Sequence, residues 1–298
     1  MVSAVTVGLV GAGPWAGMLH APMLAGGPET RLAGVWARRP EAARGLAEAH
    51  GTRAVGSLEE LWEVCEAVAF AVPPDVQVEL ATAAARAGKH LLLDKPVGLT
   101  VREAEELAGV VAETGVVSQL VLTNRYGPRG REFLAGAEGF EVVGARCASL
   151  SGALLAGSPF STPWRRRHGA LLDVGPHLFD LLEAAVGPIE ELSGQGDPLR
   201  WVSLTCRHAG GAVSEVSMSL SLALPESVFE CVLYGPDASL AYRRPPDQES
   251  AMAELAAAAT TLRREFAAAV TSGTSPPLDV NRGVELQRLI DIATRSLG

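Results

Sequence analysis

Three residues of this chain have side chains suited to moving a proton and holding charge on an oxygen: Lys95, Asp173 and His177. A histidine titrates near neutrality, so it can exchange a proton under physiological conditions. A lysine can hydrogen-bond an oxygen and stabilise negative charge developing there. A nearby cation also favours the neutral imidazole, so the lysine could tune the histidine. The aspartate can bind a hydroxyl or orient either partner, or it can cap a helix that begins after it. Composition singles out the lysine. Among 25 basic residues only Lys89 and Lys95 are lysines. Arginine fills nearly every other cationic position, and unlike lysine it cannot readily release its proton.

A second constellation suits a nucleotide. Gly11-Ala12-Gly13-Pro14-Trp15-Ala16 fits GxGxx(G/A) and falls between a strand-like run and a helix-like one. The first glycine allows the tight turn, the second lets a pyrophosphate approach the backbone, and the small sixth residue lets helix and strand pack closely. Free N–H groups at the helix start then face the phosphates. At the end of the second strand, a site for NAD usually carries an acid for the ribose hydroxyls. Here the sequence reads Val35-Trp36-Ala37-Arg38-Arg39-Pro40. The acid is missing, and Arg38 and Arg39 suit a 2′-phosphate. The expected cofactor is NADP(H) in preference to NAD(H).

These residues need elements to position them. The first third alternates strand-like and helix-like segments: strands at 5–10, 31–37, 67–72, 90–94 and 116–123, with helices between. Ser57 with Glu60, and Thr100 with Glu103, read as helix starts. Regular βαβ alternation implies a parallel sheet covered on both faces. Lys95 then sits just past the end of the 90–94 strand, where open α/β sheets place ligands. Asn124 and Arg125 follow the 116–123 strand and are candidate substrate-lining residues.

From about residue 125 the pattern changes. A strand is expected over 140–150, then a loop to Pro163, a helical stretch over 169–186, and strands over 189–195, 201–208, 212–222, 227–234 and 239–242. These read as an antiparallel sheet, with helices over 250–272 and 280–296. In a helix, Asp173, His177 and Asp180 share one face. Pro176 lies among them; a proline there removes a hydrogen bond, which predicts a break or kink near Gly175. The expected organisation is a nucleotide-binding domain over 1–124 and a substrate and oligomerisation domain over 125–298, with the last helices free to pack on either.

Bulk properties fit. The chain has 298 residues, 48% hydrophobic and 20% charged, which suits two globular domains. A net charge of −9 disfavours nucleic acid and anionic membranes as partners. No apolar run reaches the ~18 residues of a membrane span. Residues 1–10 lack the pattern of a signal peptide, so the cytoplasm is the expected location. Cys65, Cys147, Cys206 and Cys231 show no metal spacing and are expected to be free buried thiols; no metal is expected.

Several motifs occur together and in order: the glycine loop, Ala71-Val72-Pro73-Pro74, Gly88-Lys89-His90-Leu91-Leu92-Leu93-Asp94-Lys95-Pro96, Trp164-Arg165, and Asp173-Val174-Gly175-Pro176-His177-Leu178-Phe179-Asp180. In this the chain resembles the Gfo/Idh/MocA oxidoreductases over most of its length. The resemblance implies a Rossmann domain followed by an α+β domain with a large, open, mostly antiparallel sheet. It also implies a nicotinamide cofactor and often a sugar or cyclitol substrate. By position, Lys95 matches the family's catalytic lysine, Asp173 its substrate-binding acid and His177 its proton-transfer histidine. Gly11, Ala12, Gly13, Pro14, Trp15, Arg38, Arg39, Val72, Pro73, Asp94 and Lys95 would line the cofactor. Asn124, Arg125, Trp164, Arg165, Asp173 and His177 would line the substrate. Pro96 matches a proline often preceded by a cis bond.

The chain departs from the family in places. Asp94 replaces a glutamate, Gln77 stands where many members carry histidine, and the segment between Trp164 and Asp173 looks short. The expected activity is hydride transfer between NADP(H) and a carbonyl or alcohol carbon of a sugar, keto-sugar or cyclitol. A non-sugar carbonyl or conjugated substrate, or a sensor that binds NAD(P) without turnover, are the alternatives. An open sheet needs a cover, so a homodimer or homotetramer is expected.

Overall fold

A computed structural model describes residues 4–297 of the chain. Residues 1–3, the start of the segment read for a leader, and Gly298 lie outside the described residues. The chain divides into two compact units, one formed by 1–123 with 256–285, the other by 124–255 with 286–298.

The first unit is built on a five-stranded parallel sheet in the order β2-β1-β3-β4-β5. Its strands are β1 (Val5–Val10), β2 (Thr30–Trp36), β3 (Ala67–Phe70), β4 (His90–Asp94) and β5 (Ser118–Val121). β3 and β5 are buried throughout, as expected for a sheet covered on both faces. The connecting helices are α1 (Ala21–Ala25), preceded by a π-helical turn (Ala16–His20), then α2 (Pro40–Ala49), α3 (Leu58–Val64), α4 (Pro74–Arg86) and α5 (Val101–Thr114). Their starts follow local chemistry. Thr100 and Glu103 form a complete capping box on α5. At α3, Ser57 Oγ accepts from the Glu60 N–H at 3.1 Å, while the Glu60 carboxylate accepts instead from the Gly56 N–H at 2.8 Å. The chain steps from β1 to β2 on one side and then to β3 on the other, so the switch point lies at the C-terminal end of β1.

The segment 256–285 belongs to this first unit. Arg263 donates to Glu29 at 2.9 Å and to the Met23 carbonyl at 3.3 Å. The Leu120 N–H donates to the Leu278 carbonyl at 2.7 Å.

The second unit carries a six-stranded sheet in the order β11-β10-β6-β9-β8-β7. The strands are β6 (Gly144–Leu150), β7 (Ile189–Asp197), β8 (Trp201–His208), β9 (Val213–Ser219), β10 (Val228–Tyr234) and β11 (Ser239–Arg243). Only the β6–β9 pairing is parallel. The helices from the crossing onward are α6 (Thr123–Tyr126), α7 (Pro128–Ala137), α8 (Pro163–Val186), α9 (Gln248–Ser272) and α10 (Val280–Ser296). β8 alternates buried and open positions, with Val202, Leu204, Cys206 and His208 inward. α8 packs against β6, β8, β9 and β10.

Two expectations are corrected here. The break in α8 falls at Gly169, with φ 71° and ψ −157°, not near Gly175. Pro176 continues the helix: a proline φ is itself helical, and only one N–H is lost. Gly169 is forced out because the Ala170 N–H donates to the Pro198 carbonyl at 2.8 Å, and a Cβ on Gly169 would meet that oxygen at 2.1 Å. The helix also begins earlier than expected, at Pro163, so Trp164 and Arg165 sit on a helical turn. The second correction concerns the thiols. Cys65 and Cys206 are free and buried, but Cys147 and Cys231 form a disulfide. They are direct partners in the antiparallel β6–β10 register, with Cα atoms 4.1 Å apart. No helix of the described residues is long and apolar enough to cross a membrane.

Candidate active site

In the first unit the nucleotide loop leaves β1 at Gly11, whose N–H donates to the Trp36 carbonyl at 2.8 Å. Gly11 has φ 115°, and a Cβ there would approach the Ala71 carbonyl oxygen to 2.3 Å. Only glycine fits. At Gly13 a Cβ would meet nothing within 4 Å. The space beside that backbone is open, as a pyrophosphate cradle requires, and helical structure begins at Pro14 directly after it. Ala16 is fully buried where the helix packs on the sheet. Val72 and Pro73 follow β3 into α4, and Ala71 is the residue against which Gly11 lies. The residues present therefore fit a dinucleotide. Ala37 follows β2, and Arg38 and Arg39 are exposed.

Lys95 follows β4 on a turn that is tightly held. Gln77, on α4 and 1% exposed, accepts from the Asp94 N–H at 2.8 Å through Oε1. Its Nε2 lies 2.8 Å from the Asp94 carbonyl, 3.3 Å from that of Pro96 and 3.2 Å from that of Val97. The Asp94 carboxylate accepts from the Lys95 N–H at 2.8 Å through Oδ1. Its Oδ2 stands 3.4 Å from His20 Nε2. The Lys95–Pro96 peptide is cis. The other lysine, Lys89, donates to the Cys65 carbonyl at 3.0 Å, a structural role.

Sequence reasoning met Gln77 only as a departure from the family and gave His20 no role. His20 is fully buried on the π-helical turn, with Trp15 edge-on at 6.5 Å. The available signal was the pair of departures itself. A shorter acid at 94 and an amide at 77 both bear on one turn.

In the second unit, Asp173, His177 and Asp180 share one face of the part of α8 beyond Gly169. Arg165 Nε donates to Asp173 Oδ2 at 2.8 Å, and both side chains are largely buried. The Arg165 guanidinium also lies over the Trp164 ring, 4.5 Å from its centroid. The structure thus brings three predicted substrate residues together, with the Asp173 charge balanced by Arg165. The His177 ring stands edge-on to Phe229 of β10, centroids 6.5 Å apart. Asn124 Oδ1 accepts from the Tyr242 hydroxyl at 3.1 Å. Burial pushes the Tyr242 phenol above its ordinary range. Arg125 reaches Asp180, its NH1 lying 3.1 Å from each carboxylate oxygen. Among the described residues no group of three or more His, Cys, Asp or Glu is disposed to hold a metal.

Comparison with known proteins agrees with this architecture. Residues 5–121 match the model of the Gfo/Idh/MocA oxidoreductase family, NAD-binding Rossmann fold. Inositol 2-dehydrogenase of Rhizobium meliloti is 24% identical, over 98% of this chain and 97% of its own length. Among solved structures, GenD2 from gentamicin A biosynthesis, in complex with NAD, superimposes with a TM-score of 0.87 at 21% identity, covering 99% of this chain and 95% of that one. Levoglucosan dehydrogenase, in complex with NADH and L-sorbose, gives 0.85 at 19% identity, covering 99% of this chain and 97% of that one.

Proposed function

We propose that the chain, whose residues 5–121 match the Gfo/Idh/MocA family model, is an NAD(P)-dependent oxidoreductase of that family and interconverts an alcohol and a carbonyl on a sugar, keto-sugar or cyclitol, with NADP(H) preferred. When bound, the nicotinamide supplies or accepts the hydride. Everything else falls to the chain's own residues.

Lys95 donates a hydrogen bond to the reacting oxygen and stabilises the charge that develops on it. His177 moves the proton on that oxygen. Asp173, held by Arg165 at 2.8 Å, positions a substrate hydroxyl. Trp164 offers an apolar face to a sugar ring. Gly11, Ala12, Gly13, Pro14 and Trp15 carry the pyrophosphate. Val72, Pro73 and Asp94 line the cofactor beyond it, and Asn124 and Arg125 line the substrate.

The observation that carries this reading is the Lys95 turn. The four distances from Gln77 described above fix a single lysine at the end of a parallel strand, in the same unit as the glycine loop. A protein that only sensed nucleotide has no use for such a lysine. The NADP preference rests on Arg38 and Arg39, exposed directly after Ala37, which takes the position of the ribose acid of an NAD site. The division at about residue 124 and a homodimeric or homotetrameric assembly through the open sheet belong to the same proposal.

The test is a Lys95→Ala, His177→Ala double variant. It is expected to keep cofactor affinity and lose turnover. Turnover at the wild-type rate would overturn the assignment.

A further inference from the structure

Two neighbouring arginines in the second unit use their charge differently. Arg243 ends β11 and forms an ion pair with Glu230 of β10 at 3.2 Å. Arg244 follows on the opposite side of the strand, since side chains alternate. Its backbone is fixed by the ladder: the Arg244 N–H donates to the Phe229 carbonyl at 2.9 Å, and Pro245 and Pro246 end the strand. Its guanidinium lies over the Phe229 ring, 4.9 Å from the centroid. No carboxylate of the described residues is bonded to it.

Phe229 joins this cation to the candidate proton-transfer residue. The ring has His177 edge-on at 6.5 Å and Tyr242 edge-on at 5.9 Å. The guanidinium carbon is therefore no farther from the imidazole centroid than the ring distances to Arg244 and His177 added together. Arg244 is exposed; the protein packed beside it lowers its pKa by desolvation, and the nearby Tyr242 opposes this. Its guanidinium is thus held against an aromatic ring and remains open to solvent. An arginine stays charged, and an exposed guanidinium braced by an aromatic ring, with no carboxylate of the described residues bonded to it, can pair with the anion of a ligand.

We propose that Arg244 receives an anionic group of the substrate, a carboxylate or a phosphate ester, and so selects an acidic sugar or cyclitol over its neutral parent. The planar guanidinium forms paired hydrogen bonds to either anion, and the Phe229 ring backs it at 4.9 Å. The inference rests on reading His177 as the proton-transfer residue only for the distance from anion to reacting carbon.

The experiment is calorimetric titration of the full chain, saturated with NADP, with D-glucuronate, D-glucose 6-phosphate and D-glucose. It compares the wild type with Arg244→Gln and Arg244→Lys. At least one anionic probe is expected to bind the wild type about tenfold or more tightly than the Gln variant, with the Lys variant between. Glucose should not distinguish the three. Glucuronate or glucose 6-phosphate winning identifies the carboxylate or the phosphate. If neither anion binds the wild type more tightly than the Gln variant, the proposal falls. Turnover of the same probes separates the two readings. Arg244-dependent anion binding without any turnover would exclude these probes as substrates and leave the anion site standing. Where turnover occurs, the Gln change should raise KM for the anion and leave kcat within a few-fold.

Discussion

Gln77 meets the backbone of Asp94 as a neighbouring strand would, its Oε1 accepting from the Asp94 N–H and its Nε2 donating to the Asp94 carbonyl, both at 2.8 Å. The side-chain amide adds one more rung where the ladder of β4 ends, and Lys95 is the next residue. Gln77→Leu keeps similar bulk but strands the Asp94 N–H and leaves three carbonyls without this donor. Each buried group left unsatisfied costs about 1–3 kcal/mol. Thermal stability should fall. A reacting group displaced by about 1 Å can cost about 100-fold in rate. We expect kcat to drop by about 10- to 100-fold while the NADP(H) dissociation constant stays within a few-fold. A cofactor titration beside steady-state kinetics checks this; equal losses in cofactor affinity and kcat would mean general disruption instead.

The proposed cofactor preference has a direct test. Exchanging Arg38 and Arg39 together for serine and alanine should weaken NADPH by about 1.5–3 kcal/mol per lost charge-assisted bond and leave NADH nearly untouched. Side-by-side calorimetry with both reduced cofactors gives the ratio. Tighter wild-type binding of NADH than of NADPH would refute the assignment and leave the fold intact.

Acid stability of the first unit is tied to His90. Burial holds its imidazole below the ordinary 6.5, against a smaller opposing effect of Glu66. The ring also accepts the Val117 N–H through Nδ1 at 2.9 Å, which requires the neutral form. The unfolded chain therefore binds the proton more readily than the folded one. The resulting stability is complete above the unfolded pKa and is lost as pH falls through the folded one. Melts at about pH 7.5 and about pH 5 should show a smaller loss for His90→Gln than for the wild type. An equal loss would remove His90 from the account.

Arg125 neutralises a carboxylate whose side chain is 1% exposed, that of Asp180. Arg125→Ala removes that cation from a buried carboxylate, at a cost of up to about 3–5 kcal/mol. The double change Arg125→Met, Asp180→Leu should recover most of it. Denaturant unfolding of the single and double variants measures both, and an unchanged midpoint for Arg125→Ala would show that the pair is idle.

How much of this was legible in the sequence varied with the range of the physics involved. The glycine loop, the Thr100–Glu103 box and the shared face of Asp173 and His177 depend on neighbours within a few residues, and spacing alone placed them. The break in α8 was misplaced because it is decided at a distance, by the Pro198 carbonyl, and not by Pro176. The Cys147–Cys231 pair lies 84 residues apart in sequence and becomes visible only through the β6–β10 register. α7 has Pro128, Gly130 and Gly136 in ten residues, a composition that hides a helix. Gln77 was visible as a departure from the family, but its partners are backbone groups, which no side-chain pattern reports.

The return of 256–285 to the first unit has a consequence for how such enzymes can be recombined. A gene fragment ending at Thr123 would omit Arg263, and Glu29 would lose a buried partner that donates at 2.9 Å. It would also omit Leu278, whose carbonyl accepts the Leu120 N–H. Gly283 would go too, and it lies so near Val97 that a Cβ there would stand 2.1 Å from a Val97 methyl carbon. The nucleotide-binding module is thus a discontinuous inheritance unit. Grafting it onto a relative means transplanting two stretches of gene, and a single crossover would leave the recipient with mismatched halves.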